Sequence, residues 1–110
     1  KLGAGTTRFV ALAAIALVRS CENYSEVTLA DGTRHLVRQT MKAWEERLPA
    51  THFVRVHREA IVGLAHYRGS DRISDETTLL QLAGVVDPVR ASFRYLAALR
   101  AGLAQSGREL

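Results

Sequence analysis

The sequence predicts a mainly β fold with short helices, in which small antiparallel sheets are followed by a C-terminal helix. Three observations support this fold class. Short apolar segments repeat with the period-2 alternation of half-buried strands. The dipeptide Asp31-Gly32 separates two of these segments, as expected of a β-hairpin. The last apolar stripe has helical spacing and consists of Phe93, Leu96, Leu99 and Leu103.

The composition is that of an ordinary globular protein, with 47% hydrophobic and 24% charged residues. A length of 110 residues predicts one domain over residues 1–110, and the missing initial methionine leads us to expect a fragment of a longer protein. Cys21 is the sole cysteine, so the chain cannot form an internal disulfide or a metal site with paired thiolates. A lone thiol is consistent with a reducing cytoplasm.

An unbroken apolar run covers residues 10–18 and follows two basic residues. A secretory signal needs small residues at a cleavage site after such a run, but Arg19 follows at once. The run is also shorter than the roughly 20 residues that a membrane span requires. We therefore expect two strands, over residues 8–12 and 15–19, joined by a short turn or helical step through Ala13-Ala14.

The Asp31-Gly32 dipeptide predicts a two-residue turn, because both residues tolerate the positive φ of a primed turn. Apolar and polar residues alternate on either side of it. The sequence therefore predicts a β-hairpin with strands over residues 25–29 and 33–38.

A short helix is expected over residues 41–48. Thr40 can cap its start, and Pro49 stops it. Trp44 lies on the apolar stripe of this helix, so we expect its side chain, like that of Phe93, in the core.

Residues 53–64 form the segment around which the rest of the chain is organised. Two apolar, β-branched stretches flank a polar one. This pattern predicts two strands connected by a charged segment. The sheet would then present a polar group at its rim, consisting of Arg55, His57, Arg58 and Glu59.

The last part of the chain predicts further strands and one helix. Residues 66–76 are polar and typical of turns, whereas residues 77–83 alternate like a strand. Gly84 predicts a turn before a strand over residues 85–89, where a proline indicates an edge or a strand end. Ser92 then has the side chain of an N-cap for the terminal helix.

Charge favours a nucleic-acid partner. The formal net charge is +4, the sequence pI is about 9.8, and all but two of the 15 basic residues are arginine. The planar fork of arginine suits phosphate oxygens and guanine edges. The four histidines lack metal-ligand spacing, and nucleophile or nucleotide-binding motifs are missing. We therefore expect no enzyme, no metal and no cofactor.

Two common nucleic-acid modules do not fit. A helix-turn-helix needs adjacent helices, but strands separate the predicted ones. A sheet that stacks single-stranded RNA would mix aromatic residues with basic ones, and only Phe53 is close to the basic segment. The chain would have to read double-stranded DNA with loops and strand ends.

The order of motifs resembles the LytTR domain, from about Arg8 to Leu103. The resemblance is carried by Glu22-Asn23-Tyr24 before Asp31-Gly32, a helix ending in Leu-Pro, Phe53-x-Arg55-Val56-His57-Arg58 before Ile61-Val62, and Asp87-Pro88-Val89-Arg90 before a terminal helix. LytTR domains are DNA-binding output domains of bacterial transcription regulators, including response regulators of two-component systems.

The resemblance implies three small, mainly antiparallel sheets whose loops enter successive major grooves, usually on paired direct repeats. It implies a cytoplasmic protein with double-stranded DNA as partner and no membrane contact by this segment, and it leaves homodimer formation open. The residues expected to contact DNA are Asn23, Tyr24, Arg55, His57, Arg58, Arg90 and Arg94.

Several of these residues have a structural alternative. His57 could be a hydrogen-bonded core histidine. Arg55 shares the face of His57 in period-2 counting and could tie the sheet to a carboxylate. Arg58 would lie among valines unless the strand ends before it. Asn23 could form a turn rather than read a base.

The chain departs from the LytTR pattern at three positions: Glu59 replaces the usual serine, Gly63 the usual asparagine, and Ala91 an expected arginine. Glu59 would repel phosphate, or it could support Arg58 or accept from a cytosine amino group. Arg90 stands one place before the missing arginine, but a shift of one residue changes the face of a strand. The alternative function is therefore a protein-interaction or dimerisation module of the same fold.

Overall fold

The computed structural model describes residues 10–108 and residue 110. Two sheets and two α-helices dominate this part of the chain, which measures 44 × 26 × 26 Å. The elements are β1 Ile15–Cys21, β2 Tyr24–Leu29, β3 Arg34–Val37, α1 Met41–Arg47, β4 Phe53–His57, β5 Ala60–Gly63, β6 Tyr67–Arg72, β7 Thr77–Leu82, β8 Val89–Ser92 and α2 Leu96–Gln105. Short 3-10 helices cover Leu12–Ala14, Leu64–His66 and Phe93–Tyr95. The predicted mainly β fold with antiparallel sheets and a C-terminal helix is confirmed.

The larger sheet has the strand order β3-β2-β1-β5-β4, and the smaller one has the order β6-β7-β8. The described residues therefore form two sheets rather than the three that the resemblance implied. The reason is the β4–β5 hairpin, which pairs with β1 through Leu17 opposite Val62 and Arg19 opposite Ala60. The central segment is thereby built into the first sheet.

Both faces of the five-stranded sheet are covered. On one face α1 closes a cluster made of Ile15, Val18, Val27, Met41, Leu48, Phe53 and Ile61. On the other face, the smaller sheet and α2 pack over a larger cluster that includes Leu17, Val56, Val62, Leu80, Val89, Leu99 and Leu103. Burial of these side chains supplies the main favourable free energy of folding.

The strand predicted over residues 8–12 is not found where the structure describes the chain. Residues 8 and 9 lie outside the described residues, and residues 10 and 11 are not part of a strand. The backbone turns instead, with the Ala14 amide donating to the Ala11 carbonyl at 2.9 Å. The second predicted strand is confirmed as β1 and extends two residues further, to Cys21.

The hairpin between β2 and β3 is confirmed, but its turn differs from the predicted primed type. Gly32 has φ 92°, whereas Asp31 is not among the residues with positive φ. The Gly32 amide donates to the Leu29 carbonyl, and the Leu29 amide donates to the Thr33 carbonyl. The Asp31 carboxylate accepts from the Thr33 amide at 2.9 Å and from its hydroxyl at 2.7 Å. An aspartate that accepts these bonds stabilises a longer loop.

The predicted cap of α1 is confirmed. The Thr40 hydroxyl accepts from the Ala43 amide at 3.1 Å, and the helix ends at Arg47 with Leu48 as its C-cap. Trp44 is half-buried and packs against the cluster under α1, in line with its predicted core position.

Three predictions for the last third of the chain are wrong. Residues 66–76 contain the edge strand β6, whose polar composition reflects its exposure. Of the strand predicted over residues 85–89, only Val89 lies in a strand, since residues 86–87 form a bend and Pro88 has no amide hydrogen for the ladder. Ser92 does not cap α2 with its side chain, since a 3-10 helix separates them.

Phe93 lies in that 3-10 helix and is 67% exposed, so its predicted core position is also wrong. The 3-10 helix has three residues per turn instead of 3.6, so the apolar stripe of α2 begins only at Leu96. No helix in the described part of the chain is long and apolar enough to cross a membrane.

Candidate nucleic-acid interface

Two hairpin turns meet at one end of the five-stranded sheet. Residues 22–23 connect β1 to β2, and residues 58–59 connect β4 to β5. Because β5 runs antiparallel to β1, the two turns lie side by side, and the Ser20 amide donates to the Glu59 carbonyl at 2.8 Å. The end of β3 reaches the same place, with Val37 opposite Ser25. We call this end of the sheet, together with the start of β8, the turn edge.

The start of β8 joins the turn edge from the other sheet. A groove of about 260 Å³ separates it from β1 and the β4–β5 turn. Its lining comprises Arg19, His57, Glu59, Ala60, Pro88, Val89 and Arg90. The fold thus brings together two predicted site residues, His57 and Arg90, that are far apart in sequence.

A β-bulge decides which face His57 occupies. Arg55 is opposite Ile61, but His57 is opposite Ala60, so Val56 is the extra residue. Ile61 belongs to the cluster under α1 and Ala60 to the cluster on the other face. The prediction that Arg55 and His57 share a face is therefore wrong.

Arg55 turns toward α1 and the protein backbone. One guanidinium nitrogen donates to Glu45 Oε1 at 3.0 Å, and Nε donates to the His57 carbonyl at 3.3 Å. The second terminal nitrogen donates to the Arg58 carbonyl. This arrangement matches the structural alternative for Arg55, a tie between the sheet and a carboxylate.

His57 is half-buried and lines the groove at the turn edge. Its Nδ1 accepts from the Glu59 amide at 3.2 Å. In the neutral ring the proton must then be on Nε2, which makes Nε2 a hydrogen-bond donor. A side chain at this position is available to a ligand that enters the groove, which a core histidine is not.

Arg58 and Glu59 are both exposed, because the strand ends at His57. Within the described part of the chain, neither side chain makes a hydrogen bond or an ion pair. The backbone around them is held, since the Glu59 amide donates to His57 and its carbonyl accepts from Ser20. The β4–β5 turn therefore presents one free guanidinium and one free carboxylate from a fixed backbone.

Asn23 and Tyr24 lie at the neighbouring turn. Asn23 is exposed, and Tyr24 is half-buried at the first position of β2. Glu22, with φ 55°, takes the left-handed conformation of this turn, so Asn23 is not needed for it. Both residues line a second groove, of about 490 Å³, together with Ser20, Glu22, Arg38, Gln39, Thr40 and Met41.

Arg90 and Ala91 are neighbours on β8 and lie on opposite faces of that strand. Ala91 is fully buried in the core, opposite Thr78 on β7. Arg90 is exposed between two buried neighbours and lines the first groove. Arg94 follows in the 3-10 helix, where its guanidinium lies 5.7 Å from the centre of the Tyr95 ring. Neither of the two grooves described here includes Arg94.

The arginines divide into bound and free ones. Ion pairs occupy Arg34, Arg55 and Arg72. By contrast, the guanidinium groups of four arginines at the turn edge make no hydrogen bond or ion pair with the described part of the chain: those of Arg19, Arg38, Arg58 and Arg90. Sequence reasoning missed Arg19 and Arg38, because neither lies in a motif and only strand pairing brings them to this edge. The described residues contain no group of three or more metal-binding side chains.

Comparison with known proteins shows three things. A family model described as the LytTr DNA-binding domain matches residues 5–104 of this chain. A search of curated proteins gave no match. Among solved structures, the chain is similar to the LytTr DNA-binding domain of a Bacillus cereus protein assigned as a methyl-accepting/DNA response regulator. That structure is 21% identical with a TM-score of 0.75, and the similarity covers 86% of this chain and 84% of the other. At this identity the likeness shows a shared fold.

Proposed function

The chain belongs to the LytTR family of DNA-binding domains, and from this membership we propose that it binds double-stranded DNA at specific sequences through its turn edge. We propose further that it serves as the output domain of a bacterial transcription regulator. The turns would enter the major groove, which is wide enough for a two-stranded β-ribbon.

The observation that carries the proposal is the group of free arginines at the turn edge. Most described arginines elsewhere have a partner within the protein: carboxylates pair with Arg34, Arg55 and Arg72, other polar groups accept from Arg47, Arg68 and Arg108, and the Tyr95 ring lies beside Arg94. Those at the turn edge come from four different segments and point to a partner outside the protein. Phosphates of duplex DNA carry the negative charge that such a surface attracts.

We assign different roles within this surface. Arg58 and Asn23 stand on the two adjacent turns, and exposed side chains on turns can reach base edges. Arg19 and Arg38 are strand or strand-end residues beside these turns and would neutralise phosphates. The grooves next to the turns are lined by His57, Tyr24 and Arg90. Their side chains, including His57 Nε2, would assist the base contacts or the phosphate contacts. Arg94 would contact phosphate outside the two grooves.

Two of the three departures from the LytTR pattern lie inside the protein. A Cβ on Gly63 would be 2.2 Å from the Ile15 carbonyl oxygen, so this position has no room for a side chain. Ala91 is fully buried, so it could not present an arginine to DNA without a different backbone. Only Glu59 changes the exposed surface at the turn edge. The departures therefore weigh little against DNA binding.

The alternative, a protein-interaction module, has one observation in its favour. Val86 is 96% exposed and Phe93 is 67% exposed, and apolar side chains at a surface can mark a contact with another protein. Single exposed apolar residues are nevertheless common on monomeric proteins. The grouping of free arginines is the less ordinary feature.

The proposal includes a cytoplasmic location and a site made of paired direct repeats. One domain presents one set of turns, so two copies on one face of the duplex require repeats about one or two helical turns apart. Contact between such copies would make a homodimer on DNA.

A selection from a randomised duplex library at near-physiological salt tests the proposal. Enrichment of a defined motif, repeated at a spacing of whole helical turns, supports sequence-specific binding. A pool without enrichment, together with an affinity that disappears as salt rises, contradicts it. That outcome would support the protein-interaction alternative.

A further inference from the structure

The β4–β5 turn does not have the backbone dihedral angles of a tight two-residue hairpin turn. Two-residue hairpin turns that match strand twist need residues with positive φ. Among the described non-glycine residues only Glu22 has a positive φ, so Arg58 and Glu59 do not form such a turn. Contacts from outside the turn must therefore hold it.

Arg55 supplies two of these contacts, beside the hydrogen bonds that join Glu59 to Ser20 and His57. Its guanidinium donates to the carbonyls of His57 and Arg58, which are the last residue of β4 and the first residue of the turn. The same guanidinium is held by Glu45 on α1, at 3.0 Å. One side chain thus connects the turn to a helix on the opposite face of the sheet from the groove.

We propose that Arg55, held by Glu45, is a positioning residue that sets the β4–β5 turn in the conformation in which Arg58 reads DNA. This inference rests on the proposed function of the turn edge. A turn that is already ordered in the free protein loses less conformational freedom on binding, so its contacts give more affinity. Arg55 acts through Arg58 and not as a DNA contact of its own.

The accessibility of the pair agrees with this role. The Arg55 side chain is 22% exposed, compared with 47% for Glu45. Three of its five N–H donors are directed to one carboxylate and two carbonyls, which hold the guanidinium on the α1 side of the sheet. The Arg58 guanidinium, in contrast, is exposed and has no hydrogen bond or ion pair with the described part of the chain.

The substitution Glu45→Gln tests the inference, because the two explanations predict opposite changes in DNA affinity. Removing an acid near bound DNA raises the net positive charge and by itself strengthens binding to phosphates. If Glu45 holds Arg55 in place, the same substitution weakens specific binding, by roughly three- to tenfold. Glu46→Gln is the matched control, because Glu46 is the next residue on α1, is exposed and has no ion pair among the described residues. We expect Glu46→Gln to leave affinity unchanged or slightly higher.

Two further measurements separate positioning from direct contact. Hydrogen exchange of the free protein should speed up at the amides of Ser20 and Glu59 in Glu45→Gln and Arg55→Gln, but not in Glu46→Gln. In a double-mutant cycle, Arg55→Gln should weaken DNA binding in the wild-type background and have little effect when Arg58→Ala is present. Thermal unfolding of each variant confirms that the domain is folded.

The outcomes distinguish this inference from the proposed function. If Arg55→Gln lowers DNA affinity equally in the wild-type and Arg58→Ala backgrounds, Arg55 contacts phosphate directly. That result would overturn the inference. Unchanged exchange at the turn, or stronger binding by Glu45→Gln, would also overturn it. A wild-type protein that selects no duplex contradicts the proposed function, whereas the exchange data still decide whether Glu45 and Arg55 hold the turn.

Discussion

Arginine residues serve two different purposes in this protein, and their partners show which purpose each one serves. Arg55 uses its donors inside the molecule, on Glu45 and on two backbone carbonyls. Arg58, three residues later, has an exposed guanidinium without a partner among the described residues. The same residue type thus stabilises the turn in one place and is presented by it in the other.

Arg58→Ala should cost about 1–3 kcal/mol of binding free energy and relax the preference at one base pair, because a bidentate base contact is lost. Arg19→Ala is the matched comparison, since Arg19 is exposed at the same edge but lies on a strand. We expect Arg19→Ala to weaken binding equally on all duplexes. Fluorescence anisotropy with the selected site and with single-base variants measures both effects. A uniform loss for Arg58→Ala would assign it to phosphate instead.

Glu59 is expected to select cytosine. Its carboxylate is unpaired in the described part of the chain, its backbone is held on both sides, and cytosine N4 is a donor that a carboxylate can read. Repeating the library selection with Glu59→Ser should remove a cytosine preference at one position. If Glu59 only repels phosphate, the variant will bind every duplex more tightly and keep the same motif.

At the scale of elements, two hairpins and a β-bulge determine where the candidate interface lies. The β1–β2 and β4–β5 turns lie together because β5 pairs with β1 rather than forming a separate sheet. The bulge at Val56 directs His57 into the groove while Arg55 remains on the α1 side. Close contact between Gly63 at the end of β5 and Ile15 at the start of β1 keeps this arrangement in place.

Gly63→Ala should destabilise the fold, because the new Cβ would lie 2.2 Å from the Ile15 carbonyl oxygen and 3.3 Å from a Phe53 ring atom. Overpacking of this kind costs about 1–3 kcal/mol. Gly69→Ala is the control, since its Cβ would meet only the end of the Gln81 side chain, at 3.2 Å. Denaturant unfolding measures both. A cost below about 0.5 kcal/mol for Gly63→Ala would show that the strand can move away.

The β2–β3 hairpin should depend on pH through Asp31. Bonds from the amide and the hydroxyl of Thr33 lower the pKa of the Asp31 carboxyl. A lowered pKa stabilises the fold above the ordinary pKa of aspartate, and this stabilisation is lost as pH falls through the folded value. Asp31→Asn should therefore destabilise the protein at neutral pH and have a smaller effect in acid. A difference in thermal stability that does not change with pH would contradict this assignment.

At the scale of the whole molecule, the fold brings four arginines without ion pairs in the described part of the chain to one end of the larger sheet. Burial of apolar residues on both faces of this sheet leaves only its ends and edges for function. The four free arginines of the turn edge come from β1, the end of β3, the β4–β5 turn and β8. A net charge of +4 becomes a directed surface only through this arrangement.

Replacing Arg19 and Arg38 by glutamine should reduce the salt dependence of DNA binding. Each lost phosphate contact lowers the slope of log affinity against log salt by about 0.9. Arg72→Gln, which breaks an ion pair on the smaller sheet, should leave the slope unchanged. Titrations at three or more salt concentrations give the slopes. An equal change for Arg72→Gln would mean that net charge alone, rather than the turn edge, sets the affinity.

Most elements of the fold could be predicted from the sequence, because they follow from local rules. Alternating residues predicted β2, β3, β4 and β7, and the Thr40 cap predicted the start of α1. The edge strand β6 was missed because its exposed residues lack the alternation of a half-buried strand. Phe93 was misplaced because a 3-10 helix interrupts the helical period.

The sequence by itself determined the fold class, the family resemblance and the presence of a basic segment between two strands. Only the tertiary structure decided which of the basic residues are free. A salt bridge such as Arg55–Glu45 joins a strand to a helix on one face of the sheet, and no local pattern encodes that distance. Likewise, the bulge at Val56 reverses the face of His57, and the pairing of β1 with β5 brings Arg19 beside it. These are long-range contacts, whereas alternation, capping and turn preferences depend on neighbours in the chain.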